Sequence, residues 1–269
     1  MRHTDSGIIT LAVAGVMLAT PAAGQSRPTL HVSTRWEECS IQLDPSLTQS
    51  AWRTFTQEAG QLVYFRPLSD ARPMGRGRFE LALMQWQTNV DDNTSAWNDT
   101  FVHPDAEHWL YEGSGLKFPG IAARVGVASR TDVGAYYTKN FRANYGVYAV
   151  QLQQNLIGSD GDDLDVSVRG SFMSLFGPED VSLNVYGADV VTSWKQWRAG
   201  RVRVVPYAGV AAYLSASHEK SAAVNLADEQ VIGAMGTLGA ALQFSVMRVA
   251  AEASVSRVPS FALKFGVGR

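Results

Sequence analysis

The 269-residue chain predicts an all-β fold: an up-and-down antiparallel β-barrel of about ten strands, with a short N-terminal helical segment ahead of it. Three observations carry this expectation. From residue 78 onward, large apolar residues recur at every second position, the period of a strand with one apolar face. The alternating runs often reach ten residues or more, beyond the ~5–6 usual in soluble sheets and near the ~9–11 of a tilted membrane-spanning strand. The connections are unequal, the longest falling at one rim of such a barrel.

Residues 1–24 read as a signal peptide. Arg2 and His3 start it, "GIITLAVAGVMLA" forms an apolar core too short to span a bilayer, and Ala22 and Gly24 suit a cleavage site. Beyond Gln25 no apolar run of ~18 residues follows, so no transmembrane helix is available. Cys39 is the single cysteine, which excludes an intramolecular disulfide. A net charge of -2 provides no basic field, so no nucleic-acid partner is expected, and no cofactor is implied.

Residues 25–77 form an N-terminal segment with one amphipathic helix. In "LDPSLTQSAWRTFTQEAG", Asp44 suits the N-cap, Pro45 the first helical position and Gly60 the C-terminal cap. Leu47, Ala51, Phe55 and Ala59 fall four apart and make one apolar stripe. The stripe predicts a helix docked on the main domain, with a plug or a periplasmic element as the sharper alternative. "ARPMGRGR", ending at Arg78, then reads as a basic linker.

The barrel proper occupies residues 78–269. In 78–90 the apolar phase moves from Phe79, Leu81 and Leu83 to Met84 and Trp86, which predicts a bulge. Clean alternation follows in 120–128, 146–157, 164–172, 201–215, 231–246 and 248–256. In 181–194, Asp189 falls on the face set by Val181, Leu183 and Val185, so the strand there either leaves the apolar layer or slips phase. Pro206 sits within a strand that a barrel would make central, at the cost of a ladder hydrogen bond. The last strand, "PSFALKFGVGR", alternates Phe261, Leu263, Phe265 and Val267 with Ala262, Lys264, Gly266 and Gly268.

Alternation alone does not say which face meets water. The opposite faces are rich in Gly, Ala, Ser and Gln yet also carry Arg124, Arg169, Arg203, Glu252 and Lys264, a set that suits a narrow lumen. Aromatics gather near strand ends at Tyr136, Tyr137, Tyr145, Trp194 and Trp197, where interfacial girdles lie. The connections at 91–119 and 218–229 are the longest and fall on one side. Together these features make the chain resemble the bacterial outer-membrane β-barrel proteins over residues 78 to 269. The resemblance implies an up-and-down antiparallel transmembrane β-barrel in the bacterial outer membrane, with outer-membrane lipid and the barrel-assembly machinery as partners. In that class the last strand commonly ends on an aromatic residue, whereas here the chain ends on Arg269.

The functional expectation is a non-enzymatic barrel acting as a narrow, porin-like pore for small-solute transport or as a structural membrane protein. Arg124, Arg169, Arg203, Glu252 and Lys264 are the lumen-lining candidates, either as an anion-preferring pore wall or as a salt-bridged filling. The alternatives are a soluble lipocalin-like barrel with an apolar ligand inside, and an outer-membrane hydrolase using His103, His108 or His218. "FVHPDAEHW" places His103, Asp105, Glu107 and His108 together, a weak divalent-metal candidate without helical ligand spacing. "GSDGDDLD" lacks the order of a calcium loop and reads as a hairpin turn.

Overall fold

The computed structural model describes residues 39–91, 94–102, 116–158 and 163–269. The expected signal peptide, the chain from there as far as residue 38 and the His103–His108 cluster lie outside the described residues, as do residues 159–162 of the expected turn.

In chain order the elements are β1 (Ser40–Ile41), α1 (Gln49–Val63), β2 (Phe79–Thr88), α2 (Ser95–Asn98), β3 (Phe101–Val102), β4 (Leu116–Gly126), β5 (Thr131–Lys139), β6 (Gly146–Ile157), β7 (Leu164–Phe176), β8 (Val181–Trp194), β9 (Trp197–Ala199), β10 (Val202–Glu219), β11 (Glu229–Phe244), β12 (Met247–Val255) and β13 (Ser260–Gly268). Ten of these strands pair antiparallel in sequence order, β2-β4-β5-β6-β7-β8-β10-β11-β12-β13. The last returns to the first, with Lys264 opposite Met84 and Val267 opposite Leu81. The sheet is therefore closed and keeps no free edge along its length. β1 and β3 pair with each other outside the barrel.

Two rims follow from the connections. The near rim holds the start of β2 and the end of β13, where Phe79 and Arg269 exchange backbone hydrogen bonds of 3.0 Å in both directions. Tight links such as 245–246 and 127–130 lie there. The far rim carries the long connections 89–115 and 220–228.

The apolar face of the barrel points outward. Leu83, Phe265, Leu238 and Ile232 are 66%, 58%, 64% and 77% exposed, while their strand neighbours Met84, Lys264 and Val231 are buried. A water-soluble ligand-binding barrel would turn these side chains inward; this one offers them to a hydrocarbon solvent.

The bulge expected in β2 is corrected, and the two readings of β8 are decided. β2 has no bulge: it pairs without interruption from Phe79 to Thr88. Phe79, Leu81 and Leu83 face out, and Met84 and Trp86 face in because the lumen is itself apolar at that height. β8 does not slip either, since Val181, Leu183, Val185 and Asp189 all face inward, the first three onto an apolar filling and the last onto a polar one. The register break occurs instead in β6, between Asn155 and Ile157. Pro206 is accommodated because β8 pairs with β10 only from Tyr207 on and β9 only as far as Val204.

The helix is also shifted. Thr48, not Asp44, is the N-cap, its hydroxyl accepting from the Ala51 amide at 3.3 Å. Asp44 closes a turn of its own, accepting from the Ser46 amide (2.8 Å) and hydroxyl (2.6 Å), which lowers its carboxyl from the usual range. Gly60 lies inside the helix rather than capping it. A Cβ there would stand 2.4 Å from the Ser215 Cβ, so close approach to β10 requires glycine.

Candidate functional site: an occupied lumen

The N-terminal segment lies inside the barrel. α1 fills the far half, and residues 64–74, here called the strap, run down the near half to the first strand. The predicted apolar stripe is buried, but so are Trp52, Thr56, Glu58, Gln61, Leu62 and Val63. A helix hidden on this much of its surface is surrounded, not docked on an outer wall.

In the far half the filling is aromatic. Trp52 stacks on Phe55 at 5.6 Å, Phe55 meets Trp97 edge-on at 5.2 Å, and Trp86 lies 4.7 Å from Tyr136. Such pairs add about 0.5–1.5 kcal/mol each beyond the area they bury. Two of the three indoles find partners: Trp86 donates to the Leu62 carbonyl at 2.8 Å and Trp97 to Glu58 at 2.7 Å, while the buried Trp52 nitrogen meets no acceptor. Glu58 also accepts from Arg257 at 2.8 Å, and Glu229 holds Arg53 and Gln49 at 2.6 Å each. Helix and wall are thus riveted at the far rim.

In the near half the filling is the strap backbone. An extended chain with no strand partner carries unpaired carbonyls, each costly if left dry. The lumen wall supplies the donors. Lys264 donates to the Pro67 carbonyl at 3.1 Å, Arg169 to the Ser69 carbonyl at 2.6 Å and the Asp70 carbonyl at 3.2 Å, and Arg124 to the Arg72 carbonyl at 3.2 Å. Gln153 and Asn155 each reach the Ala71 carbonyl at 3.3 Å. In return, the Ala71 amide donates to Ser193 at 3.2 Å and the Met74 amide to Asp132 at 3.1 Å.

Each wall cation also has a carboxylate. Lys264 pairs with Glu80 at 2.6 Å, Arg124 with Asp132 at 2.5 Å and Arg169 with Asp189 at 3.7 Å. Glu252 faces Arg66 of the strap at 4.0 Å, and Arg66 donates to Ser254. The Tyr64 hydroxyl donates to Asp189 at 2.9 Å. Charge-assisted bonds of this kind are worth about 1.5–3 kcal/mol each, and more is lost when one partner is removed and the other stays buried.

Of the five lumen candidates, Arg124, Arg169, Glu252 and Lys264 are brought together around the strap, all buried. Arg203 stands apart, half-buried at the near rim, with no ion-pair or hydrogen-bond partner among the described residues. Sequence reasoning missed Glu80, Asp132 and Asp189 as counter-charges. Asp189 did leave a signal, as the residue that broke the apolar phase of its strand.

His218 lies at the far rim, its Nδ1 2.6 Å from the Asp228 carboxylate, both groups more than half exposed. Ser215 and Ser217 point the other way, into the lumen, where they bond Thr56 of the helix. Ser182 is the cross-strand neighbour of His218 and makes no hydrogen bond with it. At the same rim Asp180 accepts from the Leu43 amide at 3.1 Å, and burial raises its carboxyl above the usual range.

No protein-family model matches the chain, and no curated protein matches it in sequence. The solved structures it resembles are bacterial outer-membrane β-barrels. The N-terminal barrel domain of Pseudomonas aeruginosa OprF is 11% identical, with 72% of this chain and 99% of that one covered at a TM-score of 0.28. Neisserial surface protein A is 10% identical over 71% of this chain and 94% of its own, at 0.32. The outer-membrane enzyme PagL is 10% identical over 46% of this chain and 90% of its own, at 0.27. The likeness is one of architecture, a closed antiparallel barrel with an outward apolar face.

Proposed function

We propose that the chain is a non-enzymatic outer-membrane barrel whose lumen is kept sealed by its own N-terminal segment, a membrane-embedded scaffold rather than an open pore. One observation carries the reading: wall cations that could line a pore are spent on strap carbonyls and buried carboxylates, from Lys264 at Pro67 to Arg124 at Arg72. A conducting lumen keeps its charges wet; around the strap they are dry and paired. The outward apolar face supports a lipid surround, and the space left at the near rim is lined by charged side chains, which does not suit an apolar ligand of the lipocalin kind.

Planar-bilayer recording of the refolded full chain tests this. The wild type is expected to give no steady conductance, and Arg169→Met, which frees the Ser69 and Asp70 carbonyls, to give discrete openings. Arg169→Lys keeps the charge without the fork and serves as the milder variant, with heat-shifted gel mobility confirming the folded barrel. Stable ohmic steps from the wild type would overturn the sealed-barrel reading.

A further inference from the structure

A cavity of about 310 Å³ opens at the near rim, beneath the strap and away from the aromatic filling. Its walls come from the lower strap (Asp70, Arg72, Met74) and from β2, β4, β7, β10, β11, β12 and β13. Six cationic side chains line it against three carboxylates, an excess of three positive charges in a chain whose net charge is -2.

The cations divide into two groups. Lys264 and Arg248 share Glu80, at 2.6 and 3.3 Å; Arg72 holds Asp70 at 2.6 Å; and Arg124 is bound to Asp132 and the strap. These have carboxylate partners, although Lys264 and Arg248 must share one. Arg203 and Arg78 do not: neither guanidinium has an ion-pair or hydrogen-bond partner among the described residues. Arg203 instead feels Arg72, Arg198 and Arg248 as neighbouring like charges and Asp70 as an opposing one. Arg248 adds a buried Nε that meets no acceptor. Guanidinium groups gathered round a half-enclosed space repel one another, and an anion between them relieves that repulsion.

We propose that this vestibule is a binding site for a small, water-soluble oxyanion of the phosphate type, held by the forks of Arg203 and Arg248. Planar guanidinium groups match tetrahedral oxyanions and carboxylates bidentately, and the volume admits a small ion with a few waters but not a polymer. The site opens on the aqueous mouth of the barrel rather than on its lipid-facing wall, so the ligand is a free ion and not a lipid headgroup. It is independent of whether the barrel conducts.

The test uses the full chain refolded in zwitterionic detergent and titrated with inorganic phosphate, with binding read by phosphorus-31 line broadening and by the phosphate-dependent rise in unfolding temperature. Saturable binding is expected in the wild type. Arg203→Gln, which breaks no existing contact, is expected to weaken it at least tenfold; Arg142→Gln at the far rim leaves it unchanged. Nanodiscs of zwitterionic and of anionic lipid separate the two phosphate sources. Equal affinity for added phosphate in both supports the free ion, and binding abolished by anionic lipid would instead give the site to headgroups. Non-saturable binding, or the same affinity in Arg203→Gln as in the wild type, would overturn the proposal.

Discussion

The far and near halves of the lumen are filled by opposite means. The far half is closed mainly by rings and aliphatic side chains, Trp52, Phe55, Trp86, Trp97 and Leu183, with small polar contacts such as Thr56 with Ser217 among them. The near half is closed by strap carbonyls and wall charges, with Arg124, Arg169, Asp132 and Glu252 all buried. One strand serves both chemistries: β8 shows Val181, Leu183 and Val185 to the helix and Asp189 to the strap. The difference teaches that inward residues follow what fills the lumen at their height. Where a helix has satisfied its own backbone, the wall can be apolar; where the filling is an extended chain, the wall must bring hydrogen bonds.

That contrast can be broken from either side. The largest expected effect is in the near half. Arg169→Met leaves Asp189 without its cation and two strap carbonyls without a donor, and should cost about 3–5 kcal/mol in denaturant unfolding. The double variant Arg169→Met with Asp189→Leu should recover part of that loss, because a buried pair removed whole is cheaper than one half-removed. In the far half, Leu183→Ala empties a site only 1% exposed and should cost about 2–3 kcal/mol, while the strap bonds and the electrical silence of the barrel persist. Gly60→Ala forces a Cβ against Ser215 and should cost about 1–3 kcal/mol, less when combined with Ser215→Gly.

The smallest effect is at the rim. Burial penalises the charged form of Asp180, so its contribution to stability falls as pH rises from the ordinary carboxylate value of 3.8 through its raised one. Asp180→Asn keeps an oxygen for the Leu43 amide and should flatten that slope, by under about 1 kcal/mol, in unfolding measured across mildly acid pH.

Much of the wall was legible in the sequence because a two-residue period survives whatever lies on either side of it. Phe261, Leu263, Phe265 and Val267 face outward as their alternation with Lys264 predicts. The apparent bulge at Met84 and Trp86 and the apparent slip at Asp189 misled for a common reason: both faces of a strand can be apolar when a plug occupies the lumen. The strap was hidden altogether. "YFRPLSDARPMGRGR" has no period, because its partners are scattered over many strands and several of them meet its backbone. The helix start was misplaced because Asp44 and Thr48 are both competent caps, and only the turn at Ser46 decides between them.

The seam between β2 and β13 makes the barrel a closed ring with a thread through it. The thread enters at the far rim beside Cys39 and leaves at the near rim, where Arg78 passes directly into the wall. A closed ladder offers no sideways exit, so the seam forms only after the thread is in place, unless the thread is drawn lengthwise through a finished ring. Cys39 and Arg269 therefore stand at opposite mouths of the barrel.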